Sequence, residues 1–190
     1  MSIAIACQKD ADLYLFDEPS SYNDVYQRIA VANIIRKLSD LGKRIVIPRL
    51  FNVSGPHVYK HDLYMLPSLV FQAIKKDKII INSQMKVYRS FVSLAELMSV
   101  VLGTFEELEL GESLVFDASG TEVIEIGELA LKVKQLLHSE AEILRGALNK
   151  ETADRYLGSS KEYTDLIRKL EISPNSLKDQ ILCTALYLKR

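Results

Sequence analysis

This 190-residue chain lacks most of the devices by which a sequence declares its chemistry. It has only two cysteines, Cys7 and Cys183, near opposite ends. That spacing excludes a disulfide scaffold and a cysteine zinc site, and it points to buried, reduced thiols. Charge of one sign is also missing. Lys and Arg number 24 against 25 Asp and Glu, for a formal net charge of -1. No field of that size draws a protein onto nucleic acid or an anionic membrane. The apolar start, Met1 to Cys7, has no basic flank and is too short for a signal peptide or a membrane span. A soluble cytoplasmic protein is the expectation.

The eight glycines are scattered, and their scatter excludes more. No G-x-G-x-x-G or G-x-x-G-x-x-G follows a strand, and no G-x-x-x-x-G-K is present. Dinucleotide pyrophosphates need close backbone approach at a helix N-terminus, which such glycines permit. A complete NAD-binding domain cannot be argued from this sequence. A G-x-S-x-G nucleophile elbow is absent as well. Of the three histidines, His57 and His61 stand four apart, but Pro56 precedes them and no helical pattern covers both. No metal site is expected.

What is present is an ordinary globular composition, 48% hydrophobic and 26% charged. Such a chain folds, and its length gives room for one domain or one and a half. Residues 2–7 read as a strand buried on both faces, and 8–20 as loop around Asp17-Glu18-Pro19. A helix fits 21–41, with Ser21 and Asp24 as a capping box and Val31, Ile34, Ile35, Leu38 and Leu41 as its apolar stripe. Gly42 ends it. The next strand runs from Ile45 to about Phe51, with Pro48 at an edge or a gap in pairing. Strand, helix and strand in that order suggest a parallel sheet with covered faces.

Further on, Leu66, Leu69, Val70, Ala73 and Ile74 have helical spacing, and Ile79-Ile80-Ile81 reads as a strand. Ser93 and Glu96 form a capping box before a helix with the stripe Leu94, Leu97, Met98, Val101 and Leu102. A strand at 114–116, a helix at 127–138 and a strand at 142–145 follow. A helix near 161–170 and a last one opened by Ser176 and Asp179 complete the chain.

The informative segment is Arg49-Leu50-Phe51-Asn52-Val53-Ser54-Gly55-Pro56. A strand ending in Asn and a Gly-Pro turn sets a side-chain amide at the carboxyl edge of a sheet, where ligands bind in open α/β folds. On the residues alone, an ordinary strand-to-loop exit accounts for it better.

Arg-Leu-Phe-Asn-Val-x-Gly-Pro resembles the segment after the catalytic helix of extended short-chain dehydrogenases/reductases, the NAD-dependent epimerase/dehydratase family that modifies nucleotide sugars. Other pieces resemble it in order. They are Leu66-Pro67 opening a helix that ends in Lys75-Lys76-Asp77-Lys78, then Val87-Tyr88-Arg89-Ser90-Phe91-Val92-Ser93, Leu114-Val115-Phe116-Asp117, Glu125–Leu137 and Leu177–Leu188.

The resemblance implies an α/β fold: a partial Rossmann-like parallel sheet plus a small mixed α/β substrate-binding domain. Residues 1–56 would be the C-terminal remnant of the NAD-binding domain, and 57–190 the substrate-binding domain with some return to the sheet. It implies that Asn52 contacts the sugar or diphosphate of a nucleotide-diphosphate sugar and that Arg89 pairs with the diphosphate, a task suited to a guanidinium fork. It also makes Arg155 a second diphosphate ligand and sets Phe51 against the nicotinamide end of NAD or NADP.

The family's catalytic pair is Tyr-x-x-x-Lys. The matching positions hold Tyr22 and Tyr26, so the lysine that would lower the tyrosine's pKa is replaced by a phenol. Two further departures are Ser90, where Asp is frequent, and Tyr64, where many members have Asn.

The implied function is the C-terminal part of an NAD(P)-dependent epimerase, dehydratase or reductase in polysaccharide biosynthesis, an isomerase in the epimerase case. This chain alone is expected to bind no cofactor and to be inactive. An open sheet edge would be covered by the missing N-terminal half or by a homodimer partner. The other readings are a non-catalytic nucleotide-sugar-binding or assembly module, and a generic α/β protein with a chance match.

Overall fold

The computed structural model describes residue 16 and residues 24–58, 61–75, 77–148 and 152–190. The expected strand at 2–7, the loop at 8–20 apart from Phe16, and Ser21 and Tyr22 lie outside the described residues. The chain divides into two compact units, Met1–Val46 with Glu107–Leu114, and Ile47–Glu106 with Val115–Arg190.

In the first unit, helix α1 spans Val25–Asp40. The helix begins after Asp24, whose carboxylate accepts from the Gln27 amide at 2.8 Å. This corrects the expected capping box, in which Ser21 was the cap. A cap must have non-helical backbone while its oxygen reaches forward, and Asp24 meets both conditions. Of the expected stripe, Val31 is buried, Ile34, Ile35 and Leu38 are half-buried, and Leu41 is exposed beyond the helix end. Gly42 takes a φ of 79° and donates its amide to the Ser39 carbonyl, which ends the helix as anticipated. The Ser39 hydroxyl donates to the Gly111 carbonyl, and the Ile45 amide to that of Glu112.

Strand β1, Ile45–Leu50, pairs with β6, Ser113–Ala118. In the second unit the remaining strands are short. Strand β2 (Val53–Ser54) runs parallel to β5 (Val92–Ser93), and β3 (Lys78–Ile81) parallel to β8 (Glu142–Arg145). Strand β4 (Lys86–Arg89) is central to a three-stranded sheet, antiparallel to β7 (Ile124–Glu125) and parallel to β9 (Ala153–Arg155). The sequence pattern anticipated neither β4, β7 and β9 nor the short pair β2 and β5. Each has two to four residues, too few for alternation to stand out.

Five helices belong here: α2 (Met65–Lys75), α3 (Leu94–Glu107), α4 (Ile126–Leu136), α5 (Ser160–Lys169) and α6 (Leu177–Leu188). The core gathers Leu66, Leu69 and Val70 of α2, Ile79 and Ile81 of β3, Leu129 and Val133 of α4, and Leu177 and Ile181 of α6. Burying each such side chain contributes about 1.5–3 kcal/mol. Along β3 the alternation is strict, with Ile80 facing out and its amide donating to Gln72 Oε1 at 2.8 Å.

Helix α3 departs from expectation. Its buried positions are Glu96, Leu97, Val100 and Thr104, while Met98 and Leu102 are exposed. The capping box is half formed. Ser93 Oγ accepts from the Glu96 amide at 3.1 Å, but the Glu96 carboxylate does not reach back. It accepts from the Tyr163 hydroxyl at 3.0 Å and from the Asn175 amide at 2.5 Å. Those partners let a carboxylate sit inside, and they rotate the apolar stripe by about one position.

Candidate functional site

The site is built where β1, β4 and β9 end. After Leu50 the chain continues through Phe51 and Asn52 into β2 and then turns at Gly55, whose φ is 102°. That backbone suits glycine, as the Gly-Pro signal implied. His57 follows with a φ of 70°. The turn is pinned from α6, because the Gly55 amide donates to Thr184 Oγ1 at 3.0 Å. The Asn52 carbonyl is pinned from the next segment, accepting from the Val92 amide at 3.1 Å.

The Asn52 side chain is the exception in this well-bonded loop. Its Nδ2 is buried, and among the described residues it has no hydrogen-bond partner. A buried amide donor left unmet costs about 1–3 kcal/mol, so its persistence is informative.

Phe51 stands beside it, with its ring 4.9 Å from that of Tyr156 at an interplanar angle of 45°. On another side the ring lies against the bare Cα of Gly158, where any β-carbon would overlap ring carbons. Tyr156 reaches on to Arg89, whose guanidinium carbon is 5.8 Å from the phenol ring centre. Such a cation–ring contact contributes about 0.5–1 kcal/mol. Phe51, Tyr156 and Arg89 thus form a continuous strip.

Arg89 is heavily engaged. One terminal nitrogen meets Asp154 Oδ2 at 2.5 Å, and the other donates to the Tyr88 and Asp154 carbonyls at 2.9 and 3.5 Å. The hydrogen bond from Arg89 holds the Asp154 carboxyl below the ordinary carboxylate range, against the opposing effect of desolvation and with help from the Arg89 charge. Arg89 is not a solvated surface arginine, since its side chain is 13% exposed and internally paired.

Arg155 is placed differently. Its guanidinium lies 4.4 Å over the Tyr88 ring, and Arg155 and Tyr88 are register partners in the β4–β9 pair. Side chains alternate along a strand, so Arg155 and Tyr88 lie on the face opposite Arg89 and Asp154. The two arginines are not brought together.

The other singled-out residues are also placed. Tyr26 is 84% exposed on α1. Tyr22 lies outside the described residues. Ser90 is buried, with its hydroxyl 2.9 Å from that of Ser119. Asp117, at the strand end where the family usually has Asn, meets Arg49 Nε at 2.6 Å and accepts from the Ser159 amide at 2.8 Å. His57 packs on Tyr187 and His61 on Phe71, so the two imidazoles have separate aromatic partners.

Sequence reasoning missed Asp154 and Tyr156 as site residues. The available signal was the clustering of Asp154-Arg155-Tyr156 ahead of Gly158, a charged and aromatic strand end next to a glycine.

No family model matches the chain. Translation initiation factor RLI1 of Saccharomyces cerevisiae is 57% identical over 37 residues, which is 20% of this chain and 6% of that protein. An ABC transporter ATP-binding protein of Methanocaldococcus jannaschii is 34% identical over 83 residues, 44% of this chain and 11% of that protein.

Solved structures give a much longer likeness. RMD from Pseudomonas aeruginosa, complexed with NADPH, superposes with a TM-score of 0.65 at 18% identity, covering 95% of this chain and 62% of that one. UDP-glucose 4-epimerase from Thermotoga maritima with UDP-glucose gives 0.66 at 14%, covering 86% and 51%. The epimerase from Bifidobacterium longum, in complex with NAD+ and UDP, gives 0.64 at 11%, covering 86% and 53%. The chain thus spans half to three fifths of these structures and about a tenth or less of the curated relatives. The fold is the α/β arrangement, with parallel strand pairs, that these structures share over half to three fifths of their length. The curated matches concern a shorter stretch and a different kind of protein.

Proposed function

We propose that this chain is the substrate-gripping portion of an NAD(P)-dependent nucleotide-sugar epimerase, dehydratase or reductase, and that it binds a nucleotide-diphosphate sugar. One observation carries the proposal: the buried Nδ2 of Asn52, without a partner among the described residues, at the carboxyl edge of β1 and next to the Phe51–Tyr156–Arg89 strip. An unmet donor beside an aromatic strip and a guanidinium suits a phosphorylated or hydroxylated ligand that supplies acceptors. The fold likeness to enzymes solved with UDP or UDP-glucose supports the same reading. In it Asn52 contacts sugar or diphosphate and Arg89 the diphosphate, while Arg155, on the opposite face and held over Tyr88, stands apart from that grip.

The residues present do not fit a dinucleotide. The sequence has no glycine-rich turn for the pyrophosphate. The Phe51 ring, meant for the nicotinamide end, is engaged by Tyr156 and Gly158. Turnover by this chain alone is therefore not expected. The complete enzyme would need residues 1–56 joined to a glycine-bearing half, with 57–190 as the substrate-binding domain. A homodimer partner is the alternative to that half. The setting we infer is cytoplasmic polysaccharide synthesis.

A second reading, a non-catalytic nucleotide-sugar-binding or assembly module, is favoured by Tyr26. A phenol there supplies no positive charge to a neighbouring tyrosine.

The test is a thermal-shift titration with UDP-, dTDP-, GDP- and CDP-sugars, and separately with NAD and NADP. A ligand at ~100 times its Kd stabilises by about 2.7 kcal/mol, roughly 5–11 °C in a chain of this size. A rise with one nucleotide sugar, lost in Arg89→Ala, is the expected result. No rise with any nucleotide sugar overturns the proposal, and a rise with NAD alone overturns the argument from the missing glycines.

A further inference from the structure

Helix α6 presents Leu177, Ile181 and Ala185 to the core, and among them two buried polar residues, Gln180 and Thr184. Gln180 is 4% exposed, and an apolar side chain of its size would fill the same space without desolvating an amide. Its bonds indicate why an amide is there. Oε1 accepts from Ser54 Oγ at 2.6 Å, while Nε2 donates to the Phe91 carbonyl at 3.3 Å and to the Asn175 carbonyl at 3.0 Å.

Ser54 lies two residues beyond Asn52, and Phe91 two residues beyond Arg89. One buried side chain therefore holds both arms of the candidate site. Among the described residues the arms are also joined by the short β2–β5 pair, by the bond from the Val92 amide to the Asn52 carbonyl and by a long bond, 3.5 Å, from Ser54 Oγ to the Val92 carbonyl. Thr184 makes a useful contrast. It accepts from the Gly55 amide and donates to the Gln180 carbonyl, so it grips only the Asn52 arm.

We infer that Gln180 is a positioning residue that sets the separation of the Asn52 and Arg89 arms, and with it the selectivity of the site for a diphosphate over a monophosphate. The inference rests on the nucleotide-sugar reading for its ligand, but the tie between the arms does not. A ligand reaching both arms feels their spacing, whereas one reaching a single arm does not.

The test compares Gln180→Leu with Thr184→Val, each of which removes buried polar contacts from the same helix. Hydrogen exchange is read at the Val92 and Gly55 amides, and binding with UDP-glucose and with uridine monophosphate. Gln180→Leu is expected to speed Val92 exchange by about tenfold, the cost of one buried hydrogen bond, while Thr184→Val speeds Gly55 alone. Gln180→Leu is also expected to weaken UDP-glucose about tenfold and uridine monophosphate little, which a general loss of stability would not do. Unchanged Val92 exchange overturns the tie. Equal loss for both nucleotides, or equal loss in both variants, overturns the positioning role.

If wild type binds neither nucleotide, the nucleotide-sugar reading and the selectivity that rests on it fall together. Val92 exchange then still decides the tie. Ser54→Ala cuts the same tie from the loop side and gives the same readouts if Gln180→Leu does not fold.

Discussion

Replace Glu125 with alanine, and the joint between β4, β7, β8 and α4 loses its central anion. Glu125 Oε1 accepts from the Val87 amide at 3.1 Å and from Arg145 at 2.8 Å, and Oε2 from the Gly127 amide at 2.7 Å and from Arg145 at 3.0 Å. Arg145 also donates to the Met85 carbonyl at 2.8 Å. The two side chains are only 9% and 14% exposed, so water cannot replace what is removed. Breaking one partner of a buried pair costs about 3–5 kcal/mol, because a charge is left uncompensated. For a chain of this length that is roughly 6–20 °C in Tm, a large share of a typical total stability of about 5–15 kcal/mol.

Burial alone pushes the Glu125 carboxyl up. The bond from Arg145, those from the Val87 and Gly127 amides, and the Arg145 charge together outweigh it and hold the group below its ordinary 4.5. The sign follows from linkage: this stabilisation is present above the unfolded value and is lost as pH falls through the lower folded one. Urea melts of wild type, Glu125→Ala, Arg145→Met and the double variant, from pH 7 downward, give both quantities. The double variant is expected to be less damaged than the sum of the singles and to lose part of the wild-type acid dependence below pH 4.5. Additive losses, or a Glu125→Ala cost under about 1 kcal/mol, would refute the reasoning.

Asn52→Leu removes an unmet buried donor, so stability without ligand should hold or rise by up to about 1 kcal/mol while the response to nucleotide sugar disappears; melting with and without ligand checks both. Gly158→Ala should cost about 1–3 kcal/mol by driving a β-carbon into the Phe51 ring, and Phe51→Leu should relieve most of it in a double-mutant cycle. Tyr163→Phe leaves Glu96 Oε1 short of a donor and should cost about 1–3 kcal/mol in a denaturant melt. Burial, then the Glu96 charge and hydrogen bond, push the Tyr163 phenol well above 10. In an alkaline absorbance titration, this one of the nine tyrosines should stay un-ionised until the chain unfolds, and stability should fall once the pH passes the unfolded value of about 10.

The helices were legible because their signals are local. Ser176 caps α6 through the Asp179 amide as read, and α2, α4 and α5 fall within a residue or two of their expected bounds. Strand β8 matches its expected bounds, 142–145. The short strands were not legible because their pairing is set by partners far along the chain. Tyr88 faces Glu125 on one side and Arg155 on the other, across separations no local pattern carries. The rotated stripe of α3 has the same origin, since Glu96 is buried only because Tyr163 and Asn175 arrive to bond it.

For the site, residue type was legible and pairing was not. An asparagine ending a strand and an arginine before a helix could be picked out as ligand-facing groups, but Asp154 was invisible as the partner of Arg89. That pairing changes what binding must involve on the nucleotide-sugar reading. The Arg89 fork is already bonded to one carboxylate oxygen and two carbonyls, so a diphosphate has to share or displace Asp154. A dianionic group within reach of the fork competes with a single carboxylate on charge as well as geometry, whereas a neutral sugar hydroxyl has no such advantage. The carboxylate that closes β4 onto β9 therefore tempers the pull of Arg89 on an anion, and leaves a neutral ligand indifferent. Asp154→Asn should widen the difference in affinity between a nucleoside diphosphate and a neutral nucleoside, because it frees the fork and removes a repelling charge, while Asp154→Glu should keep it.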